Sequence, residues 1–257
     1  MTIFSHIPLF LLVFVRLACF FTTAPVFMDR QVPAVFKWGL AICFSILAGT
    51  LIQPVQAIEM DGLYLLLVLK EMLVGLCLGF FTAVLLYAVQ LAGSLIDLQS
   101  GFAMSSLFNP QTGIQEPQTG RFFYMLALVF FLSIDGHHLL IKGILASYDW
   151  IAVQSMLPAT VSENLVTLSL MIIKNMFWMA VLIASPIVGT LFLVDVALGI
   201  LAKTVPQMNL FVIGIPVKMA VHFIVLFVFM PVFLIVMEKL VQTMVHSLEQ
   251  ILKILGT

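Results

Sequence analysis

Four runs of this chain lack Asp, Glu, Lys and Arg over about the 20 residues that cross hydrocarbon, and a charged residue closes each end. They are Trp38 to Ile58, Met72 to Ile96, Asn175 to Val194 and Met219 to Met237. A chain of 63% hydrophobic and 9% charged residues, with a mean hydropathy of +1.20, is not an ordinary soluble protein. The pattern predicts an all-α integral membrane protein. Two further apolar runs carry charge: Ile7 to Met28 holds Arg16, and Phe122 to Leu145 holds Asp135, His137, His138 and Lys142. Six hydrophobic helices are therefore expected. The N-terminus has no basic stretch before its apolar run and reads as a retained helix.

A polar segment interrupts this pattern from Gly101 to Arg121, reading GFAMSSLFNPQTGIQEPQTGR. Pro110 and Pro117 each remove a backbone donor, while Gly101, Gly113 and Gly120 loosen the chain, so no undamaged helix is expected through it. Irregular backbone near a membrane survives only where protein or water satisfies its polar groups. Phe102, Met104, Leu107 and Phe108 precede Asn109-Pro110, carrying an apolar cluster into the turn. Such a cluster is suited to closing a narrow pore by packing and dewetting. The bland alternative is a re-entrant loop packed for structure alone.

Charges within apolar helices cost roughly 2.5 to 3.5 kcal/mol each on insertion scales, so Arg16, Lys70, Glu71, Asp97, Asp135, Asp195 and Lys218 call for partners. Snorkelling from helix ends accounts for Lys218 and for Lys70. Asp195, with apolar sequence on both sides, is expected to meet a cation from another helix or subunit; a proton pathway is the alternative. From Glu238 to Gly256 the apolar residues fall at helical spacing opposite charged ones, predicting an amphipathic end that packs on its own protein or on a partner.

Catalytic signatures are absent: no H-E-x-x-H, G-x-S-x-G, P-loop or dinucleotide fingerprint occurs, so no enzyme and no cofactor is expected. Adjacent His137 and His138 lie about 100° apart on a helix and make a poor chelating pair, so no metal is expected either. Cys19, Cys43 and Cys77 lack ligand spacing and read as small core residues. A net charge of -1 with scattered basic residues gives no footprint for nucleic acid. The basic residues also fail to mark alternate loops, which suits a chain stabilised by tight partners. Three Pro-Gln pairs, at 110–111, 117–118 and 206–207, do not sit in parallel repeats as they do in the PQ-loop carriers.

Three ordered blocks carry a stronger likeness. RLACFFTTAPVF from Arg16, GFAMSSLFNPQTGIQEPQTGRFFYMLALVFFLSIDGHHLLI from Gly101 and FLVDVALGILAKTVPQMNLFVIGIPVK from Phe192 together resemble the FliR family of flagellar export-gate proteins. The virulence-secretion counterparts of that family are called SctT. The resemblance covers essentially the whole chain and implies a fused FliP-like and FliQ-like subunit. Residues 1–147 would be the FliP-like section with the plug loop at 101–121, 148–164 a connection, and 165–257 the FliQ-like hairpin with its amphipathic C-terminal helix. One copy would join five FliP-like subunits, four FliQ-like subunits and an FlhB-like subunit around a pore in the bacterial inner membrane, at the flagellar basal body. Unfolded flagellar proteins would pass through that pore, driven by the proton gradient and a separate ATPase.

By the same resemblance Gly101, Phe102, Met104, Leu107, Phe108, Asn109, Pro110 and Gly113 are similar to the plug that enters the closed pore. Asp97, Asp135, Asp195, Pro206, Gln207, Asn209 and Lys218 are the candidate subunit contacts or buried charges. Asp135-Gly136-His137-His138 favours the flagellar branch over the virulence branch. A small-solute secondary transporter, with Asp135 and Asp195 as coupling sites, is the rival class.

Overall fold

A computed structural model describes residues 2–29, 32–51, 61–103, 117–156, 161–205 and 210–256. These residues form seven helices: α1 (Thr2–Thr23), α2 (Ala34–Leu51), α3 (Gly62–Ser100), α4 (Gln118–Ser133), α5 (Gly136–Trp150), α6 (Val161–Thr204) and α7 (Leu210–Gly256). The fold of the described residues is all-α, and each of the six expected hydrophobic runs is helical over most of its described part. One of them is broken. The run from Phe122 to Leu145 becomes α4 and α5 because Asp135 takes φ 58° and ψ 27°, a left-handed conformation that cannot continue a helix. Helix α5 restarts at once, with His138 N–H donating to the Asp135 carbonyl at 2.9 Å.

Helices α3, α6 and α7 are long and apolar enough to cross a membrane, and α4 with α5 makes a fourth if the pair is one broken span. Helices α1 and α2 are apolar but shorter. At 39, 44 and 47 residues the three long helices are each about twice the length a hydrocarbon core requires. The amphipathic C-terminal stretch is no separate helix; it continues α7. Helix α5 runs to Trp150 and α6 starts at Val161, both within the span 148–164 expected as a connection.

The chain divides into two compact units, each assembled from separate segments. The first comprises Met1–Leu85, Ile134–Ile173 and Gln242–Thr257. Its core includes Leu12, Leu17, Phe20 and Phe21 of α1, Val74 and Leu78 of α3, Leu140 and Ile144 of α5, and Leu248, Ile251 and Leu255 of α7. The spacing of each set is helical, so one stripe of each helix turns inward. Gly75 and Gly79 let α1 approach α3 closely: a Cβ at Gly75 would lie 2.3 Å from the Arg16 carbonyl oxygen, and one at Gly79 would lie 2.0 Å from Thr23 Oγ1. This is the small-xxx-small device of membrane helix pairs. The amphipathic end of α7 packs inside this unit, with Leu248 against Gly143 of α5, while Glu238, Lys239, His246 and Glu249 are exposed.

The second unit comprises Leu86–Ser133 and Lys174–Val241. Val89, Ala92 and Ile96 of α3, Ala180, Ile183, Ala184, Ile187 and Leu191 of α6, and Phe229, Phe233 and Met237 of α7 form its buried cluster. Phe123 of α4 stacks on Phe233 with ring centroids 4.8 Å apart. In their most apolar stretches 61% of α3 is buried but only 22% of α6 and of α7. Helix α3 is thus covered by its own chain, whereas α6 and α7 present residues such as Trp178, Phe227 and Val228 outward. The cysteines are not core residues as expected: Cys43 is exposed, and Cys19 and Cys77 are half-buried.

Candidate functional site

The polar segment singled out in the sequence is described at its two ends. Met104, Leu107, Phe108, Asn109, Pro110 and Gly113 lie outside the described residues, as do Pro206, Gln207 and Asn209. Gly101 adopts φ +92° directly after the last residue of α3. A glycine in that conformation is the ordinary stop of a helix, so Gly101 ends α3. At the other end helix begins earlier than expected, because Gln118 to Arg121 already form the first turn of α4, with Arg121 N–H donating to the Pro117 carbonyl at 2.8 Å. Pro117 suits that start, since its missing N–H falls where a helix has no internal acceptor.

The carboxylate of Asp97 completes the start of α4. Asp97 is 3% exposed and accepts the Thr119 N–H on both oxygens, at 3.0 and 3.3 Å. It thereby satisfies an N–H with no partner inside the helix and places negative charge at the positive end of α4. The two backbones touch beside it: a Cβ at Gly93 would fall 2.1 Å from Gly120 Cα. His222 of α7 is 1% exposed, with Nε2 3.4 Å from Thr119 Oγ1 and Phe102 edge-on to its ring at 5.6 Å. Its Nδ1 has no hydrogen-bond partner among the described residues.

One turn earlier on α7, Lys218 pairs with Asp195 of α6. Gln99 Nε2 donates to Asp195 Oδ2 at 2.9 Å, and Lys218 Nζ donates to the Gln99 carbonyl at 3.4 Å. The last turn of α3 is thus tied to both neighbouring helices beside a groove of about 370 Å³, which Gln99, Gly101, Asp195 and Lys218 help to line. Asp195 finds its cation within the chain, and Lys218 forms this pair instead of snorkelling alone. The pair is not sealed, since Lys218 and Asp195 side chains are 21% and 35% exposed.

The first unit carries a different charge cluster. Arg16 of α1 is fully buried and bonds Glu71 of α3 through both Nε and Nη2, the latter at 2.9 Å. Its Nη1 donates to Ser147 Oγ at 2.9 Å, its Nη2 also donates to the Ile151 carbonyl at 3.0 Å, and its guanidinium lies 4.2 Å from the Tyr148 ring centroid. Lys70 bonds Glu71 at 2.6 Å and donates to the carbonyls of Ala152, Val153 and Ser155 at 2.8 to 3.1 Å. Lys70 does not snorkel, contrary to expectation; it holds the turn after α5. Every donor of the two cations faces protein, the arrangement that makes buried charge tolerable.

Asp135, by contrast, is exposed and meets His138 Nδ1 at 3.2 Å. With His137 it brings three metal-capable atoms within 4.8 Å of one another. The set lies at the positive end of α5, where the helix field opposes a bound cation. Sequence reasoning missed His222, Thr119, Gly93 and the Gly75/Gly79 pair. A histidine inside an uncharged run and a G-x-x-x-G spacing were the available signals.

The family model "Bacterial export proteins, family 1" matches residues 7–244. Flagellar biosynthetic protein FliR of Bacillus subtilis is 42% identical over 255 residues, spanning 99% of this chain and 98% of that protein. The FliR protein of Escherichia coli K12 is 27% identical, covering 96% of this chain and 94% of its own length. Yop proteins translocation protein T of Yersinia pestis is 28% identical, with coverages of 83% and 82%.

Proposed function

The chain belongs to the bacterial export proteins, family 1, the FliR family, and from that membership we propose that it is a subunit of the flagellar type III protein export gate. The observation that carries this reading is the end-to-end likeness to a flagellar FliR at 42% identity. The Yop translocation protein at 28% stands level with the Escherichia coli FliR at 27%, so the flagellar branch rests on the Bacillus subtilis protein alone. In this reading the subunit is a structural part of the gate and not an enzyme. It joins FliP-like, FliQ-like and FlhB-like subunits in the inner membrane at the flagellar basal body, supplying part of the pore wall for unfolded flagellar proteins. Residues 1–147 correspond to the FliP-like section and 165–257 to the FliQ-like section. The outward apolar faces of α6 and α7 supply surface for such neighbours.

The segment whose ends are Gly101 and Pro117 is the plug. Its support is the root: Asp97, Thr119, Gly120 and His222 hold the chain where the segment leaves α3 and where it enters α4. Co-expression with FliP-like and FliQ-like subunits, followed by mild detergent extraction, tests the reading. A stable mixed complex is expected; a homo-oligomer that moves small solutes without those partners would sink it. In the assembled complex, deletion of Gln111 to Glu116 should leave assembly intact and raise passage of ions. Unchanged conductance would remove the plug from the proposal.

A further inference from the structure

We propose that Asp97 and His222 are positioning residues that fasten both ends of the 104–116 segment, so that the segment is held at its root. The functional consequence rests on the plug reading; the fastening itself does not. Asp97 stands on α3 before the segment, and Thr119 stands on α4 after it. Their bond therefore closes the chain on itself, with the exit and return points drawn together. His222 serves the same root from α7. It meets Phe102, just before the segment, with its ring, and Thr119, just after the segment, with Nε2. One α7 side chain thus touches both ends.

The choice of residue types supports fastening over plain packing. A neutral Ser or Asn would cap α4 at a lower desolvation cost than a carboxylate 3% exposed, yet Asp97 is charged. What a carboxylate adds is a hydrogen bond about twice as strong as a neutral one, reinforced by the helix field. Likewise a Leu or Phe at 222 would fill the space without an Nδ1 that meets no partner among the described residues in a site 1% exposed. The imidazole brings a bond to Thr119 that neither of those side chains could make. Lys218, one turn away on the same helix, is engaged by Asp195 and Gln99. Gly93 and Gly120 complete the root by letting the two backbones touch.

The test uses the assembled complex, with Cys19, Cys43 and Cys77 replaced by alanine and Gln111→Cys as the probe. Asp97→Ala and His222→Phe should assemble normally and raise the rate of thiol labelling at position 111. For Asp97→Ala the rise should be about tenfold or more, the ratio that accompanies loss of one hydrogen bond to a charged group. Asp97→Asn, which keeps an oxygen for the Thr119 N–H but not the charge, should give a partial rescue, with labelling between the Asp97→Ala rate and the starting rate. A purely structural role for Asp97 would not give that rescue pattern at constant assembly. Wild-type labelling in both assembled variants would overturn the proposal. So would failure of Asp97→Ala and of the milder Asp97→Ser to assemble at all, because Asp97 would then build the subunit and not position the segment. The Gln111 to Glu116 deletion, measured alongside, separates the two readings. If it leaks while Asp97→Ala labels normally, the fastening alone falls; if it does not leak while Asp97→Ala labels faster, the plug falls and the fastening stands.

Discussion

Arg16, Lys70 and Glu71 in one unit, and Asp195 and Lys218 in the other, are both charge clusters among apolar helices, but they meet that cost differently. The first is dry: Arg16 and Glu71 side chains are fully buried, and backbone carbonyls, a hydroxyl and a ring take up the remaining donors. The second keeps a third of the Asp195 side chain in contact with its surroundings and uses one amide as a bridge. A closed network of this kind sets geometry and tolerates no missing member. An open pair is worth less to the fold and remains available to a neighbour.

The sharpest way to break this contrast is Glu71→Ala, which strands two buried cations and should destabilise the subunit by about 3–5 kcal/mol. The expected readout is loss of the protein from membranes under expression conditions where wild type accumulates; normal levels would mean that the network is not structural. Next in size, Gly75→Val places side-chain carbon where the Arg16 carbonyl stands. It should cost about 1–3 kcal/mol as overpacking does, seen as a lower thermal midpoint of the detergent-solubilised protein. An unchanged midpoint would show that α1 can shift without penalty. The smallest effect belongs to Asp195→Asn, at about 1 kcal/mol or less for the isolated subunit. Its effect should appear instead as a lower yield of the mixed complex. Normal complex yield with lost export would move Asp195 from assembly to proton handling.

The helices were legible because uncharged runs of spanning length admit few other folds, and the amphipathic stripe from Leu240 to Leu255 was legible by spacing alone. The break at Asp135 was not, since the apolar residues around it hide a single left-handed residue; Asp135-Gly136 was its only trace. Partner assignments were the least readable. Arg16 and Glu71 are separated by 55 positions, and Asp97 and Thr119 by 22, so no local pattern couples them. Lys218 illustrates the limit: its place near a helix end reads as a snorkelling lysine until Asp195 is found beside it. Gly120 likewise looked like loop punctuation, whereas its role is to let Gly93 touch it.

Because Asp97 joins Thr119 across the base of the 104–116 segment, the helices on either side do not sense how much chain lies between them. For a closed flexible loop, doubling the length costs only about 0.6 kcal/mol. The register of α3 against α4 is therefore set at this base, independently of what the 104–116 segment itself must do.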